Sequence, residues 1–356
     1  MTTTIALSIA MLFHPPATTA THYQTSDFKL TSEVKSETMT NLLKAMNEVY
    51  VLPIVAKKIE VRLRDWMSTP EFEQTTDPRV FAKLVNDSMR LEATDAHLRL
   101  RYSDRVLAKR ANPREPSPEE IKRYREEVRF ANAGFDKIER LPGNIGYLSF
   151  LYFAPPEDMA QPLEGAIRFL ANVDAMIVDL RQNGGGDPAG VRLFCSYFFD
   201  SKPVHLNDIV FRKGDKTTTT EFWTLKKVAG PRLPQVPLYI LTDKRTGSGA
   251  EECAYNFQQL KRGKLIGEST WGGANPGGNV RLSDHFECFI PVGMARNPYT
   301  KTNWEGTGVI PDVRCTSNEA LKKAHVLSLE EIVANTKDEE RKRDLMRVLE
   351  EVVKGN

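Results

Sequence analysis

The sequence predicts an α/β protein with a small helical bundle ahead of its sheet, and three observations carry that expectation. Residues 38–92 are patterned at helical spacing. From Ile145 onward, short solid apolar runs alternate with helix-patterned segments. Two of those runs end in glycine-containing turns, Asp179 to Gly186 (DLRQNGGG) and Thr246 to Gly249 (TGSG). Strands alternating with helices imply at least partly parallel pairing, because a parallel pair needs a crossover long enough to hold a helix.

Taken in order, the elements divide the chain into a leader, a helical domain, an α/β domain and a tail. The apolar run Ile5 to Phe13, then Pro15, Pro16 and small residues to Ala20, resembles a secretory leader over residues 1–22, although no lysine or arginine precedes it. Export to a periplasmic or extracellular compartment is the expectation, with a cytoplasmic protein as the alternative. In the helical domain, 38–92, Leu42, Leu43, Met46 and Tyr50 share a helix face. Pro53 should interrupt the path, and Asp77 before Pro78 reads as an N-cap with proline at the first helical position. The α/β domain, 93–335, opens with strand-like alternation after His97 and contains a charged linker, 104–134, in which Ser117 to Glu120 is a capping box. Ile145 to Phe153, Ala175 to Leu180 and Val236 to Leu241 read as buried strands, and helices are expected over 163–170, after Pro188 and over 249–261. Residues 336–356 form a C-terminal helix.

Composition removes several classes of function. Across 356 residues, 49 basic and 47 acidic side chains give a net charge of +2, too weak a field to steer nucleic acid or anionic membrane. No later apolar run is long enough to span a bilayer. The cysteines, Cys195, Cys253, Cys288 and Cys315, lack zinc-site spacing and read as core thiols, with one disulfide left open.

The chemistry gathers at the two glycine turns. Ser248 lies between Gly247 and Gly249 where a strand ends and a helix begins, which would lift a serine oxygen above a sheet and aim helix N-terminal amides at its target. An ordinary N-cap serine reads the same way. Gly184, Gly185 and Gly186 could bring free amides to an oxyanion, or could simply make a tight turn. Glu251 and Glu252 need only the helix dipole to explain them.

The two segments together, followed by Gly267 to Gly278 (GESTWGGANPGG) and Asn303 to Val313 (NWEGTGVIPDV), resemble the carboxyl-terminal-processing, or tail-specific, serine peptidases. The branch without a PDZ domain, which includes interphotoreceptor-retinoid-binding-protein repeats and the tricorn core, is the most similar. The resemblance implies a crotonase-like core of ββα units after a helical bundle, a polypeptide substrate, and no metal or organic cofactor. It assigns Ser248 as nucleophile and the amides of Gly249 and Gly185 as oxyanion donors. Where one branch has a catalytic lysine this chain has Gly273, a position read as a turn that a larger side chain would strain, so the resemblance turns to the other branch. There His97 is the base and Glu305 the carboxylate that orients it, with Asp95 ranked below Glu305 and an apparent pKa near ~6–7 for the base. A non-catalytic module for apolar ligands or peptides is the alternative on the same fold.

Overall fold

The computed structural model describes residues 28–107 and 118–355. The leader expected over 1–22 and the capping serine Ser117 therefore lie outside the described residues. The chain divides into two compact units, one made of Met1–Pro118, Ile209–Thr220 and Asn275–Ala295, the other of Glu119–Asp208, Glu221–Ala274 and Arg296–Asn356.

The first unit opens with α1 (Ser32–Val49), α2 (Pro53–Met67), α3 (Pro70–Gln74) and α4 (Pro78–Arg90). Proline starts three of these helices, where the missing N–H would have had no intrahelical partner. Pro53 thus ends one helix path by beginning the next. Asp77 caps α4 as expected, its carboxylate accepting from the N–H groups of Arg79 and Val80. Strand β1 (Arg99–Tyr102) follows, its Leu100 backbone bonded to the Asn86 side chain of α4.

The chain continues through α5 (Pro118–Phe130), β2 (Phe135–Leu141), β3 (Ile145–Phe150), α6 (Pro156–Phe169), β4 (Ala175–Asp179) and α7 (Pro188–Ser196). Next come β5 (His205–Lys213), β6 (Lys216–Trp223), β7 (Leu238–Thr242), α8 (Gly249–Gln259) and β8 (Lys264–Gly267). The last elements are β9 (Gly277–Arg281), β10 (Phe286–Pro291), β11 (Gly293–Arg296), β12 (Val313–Arg314), α9 (Ser317–Asn335) and α10 (Glu339–Lys354). The predicted strand to Phe153 stops earlier, at Phe150, and Phe153 makes only an isolated bridge to Gly186.

The α/β class expected from the sequence is present. A six-stranded sheet runs in the order β12-β8-β7-β4-β3-β2, parallel from β3 to β12, with β2 antiparallel at one edge. Its opening elements β2, β3 and α6 make one ββα unit. Ile145, Ile177, Tyr239, Leu241 and Ile266 point to one face and pack with Ala320, Ala324 and Leu329 of α9 and Leu345 of α10. By strand alternation Met176, Val178, Ile240 and Leu265 point to the other face, and they too are fully buried. Covered on both faces, the strands carry solid apolar runs instead of alternating ones. On the α7 and α8 side Phe150, Phe153, Phe194, Phe198 and Phe257 form a continuous series of ring contacts.

The units do not follow the expected boundaries at 92/93 and 335/336. Strands β1, β10 and β9 form their own antiparallel sheet, and Leu98, Leu100, Phe286, Cys288 and Ile290 join the helical core of Leu42, Phe81 and Met89. Alternate apolar residues on these strands need a partner face, and the helices supply it. Helix α10 likewise belongs to the α/β unit, which buries Leu345. A third sheet has the order β11-β5-β6. No helix among the described residues is long and apolar enough to cross a membrane.

Candidate active site

The sheet register decides where the two glycine turns meet. Asp179 at the end of β4 pairs with Leu241 near the end of β7, so the turns that follow leave the same edge of the sheet as neighbours. Such carboxyl ends of parallel strands are where α/β proteins build their sites. Hydrogen bonds lace the turns together: Thr246 Oγ1 donates to Leu180 O at 2.8 Å, and Gly247 N–H donates to Asn183 O at 3.1 Å.

Ser248 stands on this turn at φ 51° and ψ −117°, immediately before α8. An N-cap residue normally sits in the extended region, so this backbone is not that of an ordinary cap. Positive φ on a residue with a Cβ is strained and needs support from its surroundings. The support is the fully buried Glu251. One carboxylate oxygen accepts from Ser248 N–H at 2.8 Å and Gly273 N–H at 2.9 Å, and the other accepts from Thr270 Oγ1 at 2.5 Å and Gly272 N–H at 2.6 Å. Burial raises the Glu251 pKa above the usual carboxylate range, while the four donors favour the charged form. The dipole reading of this residue therefore misses its main role. The spacing Ser248-Gly249-Ala250-Glu251, a serine followed by an acid three residues on, was the available signal.

The glycine loop fits against that turn with no room for a side chain. A Cβ on Gly185 would lie 2.6 Å from Gly249 N and 2.8 Å from Ser248 Cβ, and φ there is +103°. The expectation that Gly185 offers its amide is not met, because that N–H donates to Asn183 Oδ1 at 2.9 Å. Its neighbour differs. Among the described residues no acceptor is found for the N–H groups of Gly186 and Gly249, and a Cβ on Gly249 would sit 3.1 Å from Gly186 N.

Glu305 is tied to the same framework. Its carboxylate accepts from Ala274 N–H at 2.6 Å, its own N–H donates to Asn303 Oδ1, and buried Trp304 donates from Nε1 to Gly273 O at 3.0 Å. Gly306 N–H closes onto Gly272 O at 2.9 Å. The glycine of this stretch at positive φ, where a side chain would be strained, is Gly272, with φ +94°, and not Gly273, which was expected to hold the turn. Gly273 serves by giving its N–H to Glu251.

In the other unit, His97 precedes β1 and stacks on Phe289 with ring centroids 5.5 Å apart. Burial pushes its pKa from 6.5 down to about 4, below the expected range near neutrality. The buried Asp95 carboxylate accepts from His97 N–H at 3.1 Å and from Asn275 Nδ2 at 2.8 Å, so it shapes the backbone that carries the imidazole. Glu252 has a different fate from its neighbour Glu251. Burial pushes its carboxyl up to about 8, with the Asn207 and Asn256 side chains pulling the other way, so it is mostly neutral at pH 7. All four cysteines are free thiols.

Residues 144–315 match the profile of Peptidase family S41, and the resemblance to carboxyl-terminal-processing peptidases rests on that segment. Two curated proteins are similar to it. Carboxyl-terminal-processing peptidase 2, chloroplastic, of Arabidopsis thaliana is 28% identical over 193 residues, 49% of this chain and 34% of its own length. Tricorn protease homolog 2 of Streptomyces coelicolor is 28% identical over 153 residues, 41% of this chain and 11% of its own. The chain thus spans about a third or less of the curated relatives it matches. The structure of a lipoprotein from Streptococcus agalactiae has a similar fold, with TM-score 0.55 and 15% identity, over 87% of this chain and 99% of that one.

Two outcomes follow from the buried acids. In Glu251→Gln the amide NH₂ must face either Ser248 and Gly273 N–H or Thr270 and Gly272 N–H, setting donor against donor whichever way it turns. Each donor left unpaired costs about 1–3 kcal/mol, so the variant should lose several kcal/mol in urea unfolding. For Glu252 the folded pKa of about 8 exceeds the ordinary 4.5. Between those values the unfolded chain releases a proton that the folded chain keeps, so its contribution to stability falls as pH rises and levels off above about 8. Glu252→Gln should therefore be relatively more stable than wild type at the alkaline end, as measured by urea midpoints across this range.

Proposed function

We propose that the protein is a serine peptidase that cleaves polypeptides through an acyl-enzyme on Ser248. The observation that carries this reading is the backbone of Ser248, strained at φ 51° and ψ −117° and held there by a buried carboxylate. A serine needed only as a cap has no use for that conformation. Strain of this kind is maintained where a side chain must be presented in one direction.

In the proposed reaction His97 takes the proton from Ser248 Oγ as that oxygen attacks the peptide carbonyl carbon. The carbonyl oxygen, now negative, is held by the N–H groups of Gly249 and Gly186. Gly186 replaces Gly185 in this role because the Gly185 N–H is engaged by Asn183. The imidazolium then gives its proton to the leaving amine, and water, activated by the same histidine, hydrolyses the ester. Glu305 orients the imidazole and stabilises its charged form. Burial suits His97 to this work, since an imidazole pushed down to about 4 is neutral at pH 7 and ready to accept a proton. The same reading places the enzyme outside the cytoplasm, on the leader-like run Ile5 to Phe13.

A fluorophosphonate should label wild type on Ser248, as mapped by mass spectrometry of the labelled peptide. Folded Ser248→Ala should take no label and lose peptide turnover by at least about three orders of magnitude. Retained turnover would end the nucleophile assignment.

The pH profile separates the bases. Because burial depresses the His97 pKa, the neutral base persists to lower pH, and labelling should rise with pH through an apparent pKa below 6.5 and be level by neutrality. A lysine base would place the rise on the alkaline side. Normal labelling by folded His97→Ala would remove His97 from the mechanism.

A further inference from the structure

We propose that Ser317, the first residue of α9, is a positioning residue for the reaction, clamping the glycine turn and the nucleophile turn together at their roots so that the N–H groups of Gly186 and Gly249 converge on one oxyanion. This deepens the peptidase reading of Ser248 and rests on it. The two turns start alike. Asp179-Leu180-Arg181 leads into the glycine turn and Asp243-Lys244-Arg245 into the nucleophile turn. In each, the aspartate Oδ1 accepts from the arginine N–H two residues on, at 3.0 Å and 2.8 Å, and the guanidinium folds back on the same carboxylate, Arg181 Nε at 2.9 Å and Arg245 Nη2 at 3.0 Å. Both carboxylates are buried.

Ser317 joins these two roots. Its carbonyl oxygen accepts from Arg181 Nη1 at 2.6 Å, and its Oγ donates to Asp243 Oδ2 at 3.0 Å. One residue thus gives its backbone acceptor to one turn and its side-chain donor to the other. The anchor itself is fixed. The capping box of Thr316 and Glu319 sets where α9 begins, with Thr316 Oγ1 donating to Glu319 Oε2 at 2.7 Å, and Ala320 and Ala324 seat the helix on the sheet. Ser317 lies past residue 315, where the match to the family profile ends, so no motif pointed to it.

Apolar packing alone would hold α9 to the sheet, and what the polar clamp adds is direction. Bonds from Thr246 to Leu180 and from Gly247 to Asn183 hold the turns to each other nearer the serine, and Ser317 adds a second fixed point at the roots. Two points of attachment determine an angle where one leaves a hinge. Oxyanion donors carried on separate turns need that angle. Hydrogen bonds weaken steeply with misalignment, and small misplacements around a reacting centre cost large factors in rate.

Ser317→Ala keeps the carbonyl arm of the clamp and removes the hydroxyl arm. In the folded variant, kcat on fluorescein-labelled casein and the rate of labelling by a fluorophosphonate should both fall about tenfold or more, while KM stays near the wild-type value, since the clamp acts on the transition state. Ser317→Thr retains the hydroxyl and should restore both rates. Should the alanine variant fail to fold, Arg181→Lys tests the other arm, because one ammonium cannot replace a guanidinium that bonds Asp179 through Nε and Nη2 and Ser317 through Nη1. The same fall in kcat is expected there. A lower urea midpoint with unchanged kcat in a folded variant, a rise in KM alone, or a threonine variant as slow as the alanine one overturns the clamp. A wild type that takes no label at Ser248 instead overturns the peptidase reading itself.

Discussion

The site depends on one buried carboxylate. Glu251 accepts from the backbone of Ser248 on one side and from Thr270, Gly272 and Gly273 on the other. A carboxylate is the side chain that fits, because it has four lone-pair positions in one plane and no donor to disturb them. Through Ser248 it holds a strained turn, and through Gly272 and Gly273 it fixes the segment that carries Trp271 and continues to Ala274. Since Ala274 N–H binds Glu305, the same anchor also reaches the third carboxyl-bearing loop.

The neighbouring acid shows how little sequence position says about electrostatic state. Glu251 and Glu252 are adjacent on α8 and both are buried. One meets four donors that favour its charged form against the burial that raises its pKa. The other is fully enclosed, has a pKa pushed up to about 8, and stays mostly neutral at pH 7. What separates them is helical rotation of one residue, which points Glu251 back at the turn and Glu252 toward Asn207 and Asn256.

This also explains what was legible. Buried parallel strands have to be apolar throughout, so Ala175 to Leu180 and Val236 to Leu241 stood out, as did the serine between glycines that follows the second. Asp77 and Pro78 signalled their helix because capping is local chemistry. That the Gly185 N–H is engaged was hidden because it depends on the Asn183 side chain, a partner that motif spelling does not reveal. The unit boundaries failed for a long-range reason. Arg99 pairs with Phe289, and no local pattern announces a strand partner so distant in the chain. The depressed pKa of His97 likewise depends on enclosure that exists only after folding.

The lacing of the turns has a consequence for biosynthesis. The segments that support Ser248 begin near Phe150, whose carbonyl accepts from Asn183, and end near Gly306, which bonds Gly272. Loop-closure entropy must be overcome across this whole interval before the strained conformation becomes favourable. A nascent chain that has emerged only as far as α8 already contains the serine but lacks Gly272, Gly273 and Glu305. In such a partial chain Glu251 lacks three of the four donors that surround the carboxylate holding the Ser248 turn. The strained conformation of Ser248 then arrives together with the native topology.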